Sequence, residues 1–160
     1  MMLEYKKLNN LAGWFTFLIA LVVYAITVED TASFWDAGEF IAVSSKLEVP
    51  HPPGAPFYLL LGRFFSMFAF GVPENIALAI NFLSVISSAF TILFLFWTIT
   101  YLSSKIINPI DNQNNKFLVI LSGFIGSLSF TFTDSFWFSA VESEVYAMSS
   151  FFTAFVFWAI

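Results

Sequence analysis

The 160-residue chain has no cysteine and a single histidine. The missing cysteines exclude a disulfide framework and a thiolate metal centre, and they leave the redox compartment unread. With one histidine, no His or Cys pair stands at metal-ligand spacing, which argues against zinc. Charge is scarce as well: charged residues make up 11% of the chain, against about a quarter in soluble domains. Six bases face 11 acids, for a net charge of -5, and no basic run exists, so nucleic acid is excluded as a natural partner. Internal repeats and low-complexity tracts are absent too. What fills the chain is apolar, with 59% hydrophobic residues and 23 phenylalanines. That makes it an all-α integral membrane protein, a polytopic helical bundle.

Four runs have the length and apolarity of spans, about 20 residues being needed to cross the hydrocarbon core. They cover about 11–28, 76–102, 117–132 and 146–160. Lys6 and Lys7 before the first run imitate a secretory signal, but no small-x-small cleavage site follows, so the run reads as an uncleaved span. The last run ends without a polar segment, as expected of the N-terminal part of one longer multispanning domain. A fifth run, 57–72, is short and carries Arg63 near its centre, where a charge is costly at mid-bilayer.

Topology decides that fifth run. If it spans, Lys105 and Lys116 fall opposite Lys6 and Lys7, against the positive-inside tendency. If it lies in the interface or re-enters, all four lysines and the N-terminus face the cytoplasm. The acidic loop 29–56 and the loop with Asp134, Glu142 and Glu144 then both face outward. The second arrangement is the expected one, with interfacial helices in the first outer loop and the bilayer headgroups as partners.

The outer acids carry the chemistry. Asp36 and Glu39 stand at i and i+3, so a helix beginning near Ser33 puts them on one face. Ser33-Phe-Trp-Asp36 also fits a capping box, in which Asp36 only bonds the helix start. Ser139-Ala-Val-Glu142 is a second such box, opening the last helix, whereas Glu144 has no local use. Glu29 and Asp30 read as a solvated pair at the end of the first span. His51-Pro-Pro-Gly-Ala-Pro56 fixes a rigid entry into the next helix, and the prolines do not by themselves call for the histidine. A carboxylate-bound divalent cation on Asp36, Glu39 or Glu144 stays open. Trp14, Trp97, Trp137 and Trp158 read as interfacial anchors, Trp35 as an anchor or a sugar-stacking platform.

This pattern resembles the N-terminal module of the GT-C class of membrane glycosyltransferases, in its protein O-mannosyltransferase-like branch. WDAGEFIAVSSKLEVPHPPGAPFYLLLGR and SAVESEVYAMSSFF look like the signatures of a family of large bacterial membrane proteins, to which a vertebrate multispanning O-mannosyltransferase is similar. The match is specific over 29–63 and 139–150. Two departures stand out: the acidic pair of this class is adjacent, whereas here it is split as Asp36-Ala-Gly-Glu39, and the lysine expected soon after His-Pro-Pro is replaced by the more distant Arg63.

The resemblance implies an inverting transfer of a sugar, mannose, from a polyprenyl-phosphate donor to a protein or other hydroxyl acceptor, outside a bacterial inner membrane. Asp36 is then the expected general base and Glu39 the group orienting the acceptor. Arg63 and His51 are expected to take the lipid phosphate, while Glu144 and Trp35 complete the sugar site. A transporter lined by Asp36, Glu39 and Arg63, or a non-catalytic lipid- or partner-binding protein, are the competing readings.

Overall fold

The computed structural model describes residues 2–52 and 54–160. Pro53, the second proline of the His-Pro-Pro turn, lies outside the described residues. Among the described residues seven α-helices follow one another: α1 Met2–Thr27, α2 Ala37–Lys46, α3 Pro56–Ser66, α4 Ile76–Ile106, α5 Gln113–Thr131, α6 Asp134–Val141 and α7 Val145–Ala159. No strand occurs among the described residues. The chain is thus an all-α membrane protein. Helices α1 and α4 are long and apolar enough to cross a bilayer. Helices α5 and α6 meet the same test only as a pair bent by 68°. At 15 residues, α7 is about 22 Å long, short of the ~30 Å hydrocarbon core.

The 31-residue α4 is the axis of the bundle, packed against α1, α5 and α7. Its contact faces carry small residues: a Cβ added to Gly123 would stand 2.5 Å from Thr100 Cγ2 and 2.8 Å from Phe96 Cε2. Such close approach is how helices associate in lipid, where apolar burial gives no preference for protein over tails. A core of Phe17, Tyr24, Val85, Ile92 and Phe136 joins α1, α4 and α6.

Contacts fix which ends coincide. Asn81 at the start of α4 bonds the Glu29 carbonyl just beyond the end of α1, so these two helices are antiparallel. At the opposite end, Lys116 of α5 pairs with Glu4 of α1 at 3.3 Å. Helices α2 and α3 therefore begin and end at the same end of the bundle. Trp137 of α6 bonds Thr27, and the Glu29 amide donates to the Val141 carbonyl at 3.0 Å. The second acidic loop thus sits at that end as well.

Candidate active site at the loop end of the bundle

The structure replaces both expected capping boxes. Helix α2 starts at Ala37, not near Ser33. Asp36 occupies the N-cap position, its carbonyl receives the Phe40 amide at 2.9 Å, and its side chain makes no capping bond. Ser33 instead donates its hydroxyl to Glu142 Oε2, across to the other loop. Ser139 lies in the last turn of α6 and back-bonds to the Ser135 carbonyl at 3.2 Å. The last helix opens three residues beyond Glu142, at Val145, with Glu144 in its N-cap position. One bond between the loops thus takes a residue from each box, Ser33 from the first and Glu142 from the second.

Asp36 and Glu39 do share a face, and His51 closes it. Glu39 accepts both the His51 main-chain N–H at 2.8 Å and a 2.8 Å bond at Nδ1. His51 Nε2 faces Asp36 Oδ2 at 3.9 Å. The turn that carries His51 back over α2 begins with Leu47 in the left-handed region at φ 56°. It ends with Gly54 at φ 101° and Ala55 at φ 47°, followed by Pro56 at the start of α3. Phe40 supports the imidazole from below at 6.2 Å and stacks edge-on against Tyr58 of α3. Helices α2 and α3 touch so closely that a Cβ on Gly62 would lie 2.6 Å from Ser44 Oγ.

Electrostatics separates the acids. The bonds from His51 hold Glu39 below the usual carboxylate range, and Glu39 in turn raises His51. Glu142 and Glu144 are buried, 4% and 6% exposed, and burial pushes both upward. The charge of Glu142, then that of Asp36, raises Glu144 further, while the Ser33 hydroxyl offsets part of the rise at Glu142.

The two loops are stitched together by a residue that sequence reasoning passed over. Asn81 donates to the Glu29 carbonyl at 2.6 Å and to the Thr31 carbonyl at 3.2 Å, and accepts from Ser143 Oγ. It is 1% exposed. A lone asparagine inside an otherwise apolar run was the available signal, since a buried polar group in a span needs partners.

Two other expected site residues make no bond to this cluster among the described residues. Arg63 Nη1 donates to the Ser45 carbonyl at 2.6 Å, capping the C-terminal end of α2. That is a favourable place for a cation, and it ties the guanidinium to the helix. Trp35 is 87% exposed, with a left-handed backbone at φ 60° just before Asp36. Such a conformation costs a bulky residue about 1–2 kcal/mol. Asp36, Glu39 and His51 each offer a ligand atom within 4.8 Å of the others, a spacing that suits a metal ion.

The model of the protein O-mannosyl-transferase TMEM260 N-terminal domain matches residues 36–160. Protein O-mannosyl-transferase tmem260 of Dictyostelium discoideum is 30% identical over 141 residues, 86% of this chain and 15% of the relative. The Mus musculus protein O-mannosyl-transferase TMEM260 is 26% identical over 137 residues, 85% of this chain and 17% of that protein. The chain therefore spans about a sixth of the length of these relatives. No solved structure matches it.

Proposed function

Because the chain belongs to the TMEM260 N-terminal domain family, we propose that it forms the catalytic loop end of a membrane mannosyltransferase. The donor is a polyprenyl-phosphate mannose, and the acceptor a protein Ser/Thr or similar hydroxyl on the extracytoplasmic face. The observation that carries this reading is the convergence of two acidic loops at one end of the bundle. Ser33–Glu142 and Asn81–Ser143 join them, and Asp36, Glu39, His51 and Glu144 gather beside the joint.

A hydroxyl is a weak nucleophile, so its proton must leave as its oxygen attacks. Asp36 is the open carboxylate of the cluster, 56% exposed at its side chain and free of side-chain hydrogen bonds among the described residues. It takes the acceptor proton. The acceptor oxygen bonds the anomeric carbon as the bond from that carbon to the phosphate oxygen breaks. Polyprenyl phosphate departs with the electron pair, and the single displacement inverts the sugar. Glu39, fully engaged by His51, positions the imidazole rather than the acceptor. Trp35 offers its exposed ring to the sugar. A groove of about 520 Å³ between α3 and α4, lined by Phe64, Phe65, Phe68, Leu78, Phe82 and Ile86, suits an isoprene chain. The opposite end, with Lys105, Lys116 and the N-terminus, faces the cytoplasm, in keeping with the positive-inside tendency.

The test is transfer of labelled mannose from a polyprenyl-phosphate donor by the full-length protein in membranes. Asp36→Asn is expected to lower the rate by about 10²-fold or more. Full activity in Asp36→Asn, with Glu39→Gln also active, would overturn the assignment.

A further inference from the structure

The end of the bundle opposite the acidic loops carries most of the positive charge. Four of the six bases, Lys6, Lys7, Lys105 and Lys116, stand there with two of the 11 acids, Glu4 and Asp111. An end with such an excess attracts anionic lipid headgroups, at about 1 kcal/mol per lysine near the surface.

Lys116 stands in the first turn of α5, where the helix dipole disfavours a cation. Its side chain is 4% exposed, and its ammonium pairs with Glu4 at 3.3 Å, whose own side chain is 67% exposed. A pair with one open partner gains little, whereas a buried ammonium has lost its water. The ammonium has three N–H donors, and Glu4 is its one salt-bridge partner among the described residues. Neither helix stability nor this pair accounts for a lysine at that position.

The same side chain lines a cleft of about 390 Å³ between α1 and α5. Leu8, Leu11 and Phe15 wall it on one side and Phe117, Ile120 and Phe124 on the other, with Gln113 and Lys116 at the end where both helices begin. Leu11, Phe15 and Phe117 are exposed, so the cleft opens to the bilayer. The rings of Phe15 and Phe124 meet edge-on at 6.3 Å and bridge its far end, about 10 Å along the helix from Leu8. A cation at the membrane surface and an apolar channel running inward from it match a phospholipid from headgroup to chain.

We propose that this cleft binds one anionic glycerophospholipid. Its phosphodiester accepts from Lys116 Nζ and from the Gln113 side chain, and one acyl chain lies along Leu11, Phe15, Ile120 and Phe124. Glu4 competes with the phosphate for the ammonium. Binding of this lipid depends neither on mannose transfer nor on which side of the membrane this end faces.

The experiment is photo-crosslinking of the full-length protein in phosphatidylcholine vesicles. The probes are a phosphatidylglycerol and a matching phosphatidylcholine, each with a diazirine in its acyl chain, and adducts are located by peptide mass spectrometry. The phosphatidylglycerol probe is expected to label segments 8–15 and 117–124 well above the phosphatidylcholine probe. Lys116→Gln should lower this labelling about 5-fold, and Glu4→Gln should raise it by freeing the ammonium. Lys105→Gln, at the same end but outside the cleft, should leave it unchanged. Leu11→Trp fills the cleft from an exposed position and should lower the labelling with the lysine intact. Folding of each variant is checked by circular dichroism. Equal labelling by the two probes, unchanged labelling in folded Lys116→Gln or Leu11→Trp, or a fall in Glu4→Gln would overturn the proposal. Suppression by added inorganic phosphate would overturn it too, since that marks a site for free anions rather than for a lipid.

Discussion

Replacing Asn81 with alanine should loosen the joint between the acidic loops while leaving the bundle assembled. The side chain makes three hydrogen bonds, two to the carbonyls of Glu29 and Thr31 and one from Ser143. At about 1 kcal/mol each by soluble-protein experience, or about 0.6 within membranes, their loss amounts to about 2–3 kcal/mol. The upper figure is favoured, because the Ser143 hydroxyl, on a fully buried residue, is left without its partner where water does not reach it. Reversible unfolding of the purified chain in mixed detergent, followed by circular dichroism, measures the stability change. Spin labels at positions 32 and 138, both exposed, measure the joint itself. Their distance distribution should be narrow in the native sequence and broad in Asn81→Ala. A stability within about 0.5 kcal/mol of wild type, the range of an ordinary surface substitution, with an unchanged distance distribution, would refute the reasoning.

Other consequences follow from single contacts. Gly62→Ala sets a Cβ 2.6 Å from Ser44 Oγ and 2.8 Å from Ser44 Cβ; overpacking of this kind costs about 1–3 kcal/mol, and Ser44→Gly in the same chain should restore most of the loss in a thermal melt. Gly123→Val should weaken the α4–α5 contact by a similar or larger amount, since Thr100 and Phe96 already fill the space, and the same melt reads it. Asn112→Cys introduces the only thiol into a cysteine-free chain; a membrane-permeant maleimide should label it in intact cells, and labelling by an impermeant one would reverse the proposed orientation.

Composition and run length were enough to read the all-α membrane class, because lipid admits few backbone solutions and each demands a long apolar run. The positions of α4, α5 and α7 follow the runs closely. Helix α1 starts earlier than its apolar run, at Met2, and Glu4 in its first turn pairs with Lys116 across the bundle, a pairing no local pattern reveals. In the site, the shared face of Asp36 and Glu39 was legible from their spacing. The partner of Glu39 was not, since His51 returns to it only through a turn that begins with Leu47 in the left-handed region. The family resemblance implied a phosphate for Arg63, and its guanidinium also donates to the Ser45 main-chain carbonyl, a partner that sequence never advertises. Ser33 and Glu142 each fitted a local capping pattern, and both spend their side chains on each other.

The central claim is that the two loops build one transferase site. It is tested most directly by transfer of labelled mannose from a polyprenyl-phosphate donor by full-length protein carrying Asp36→Asn, Glu144→Gln or Asp134→Asn. The account predicts severe loss of kcat in the first two, one from each loop, and near-normal transfer in Asp134→Asn, which opens α6 outside the cluster. Undiminished transfer in both Asp36→Asn and Glu144→Gln would contradict it.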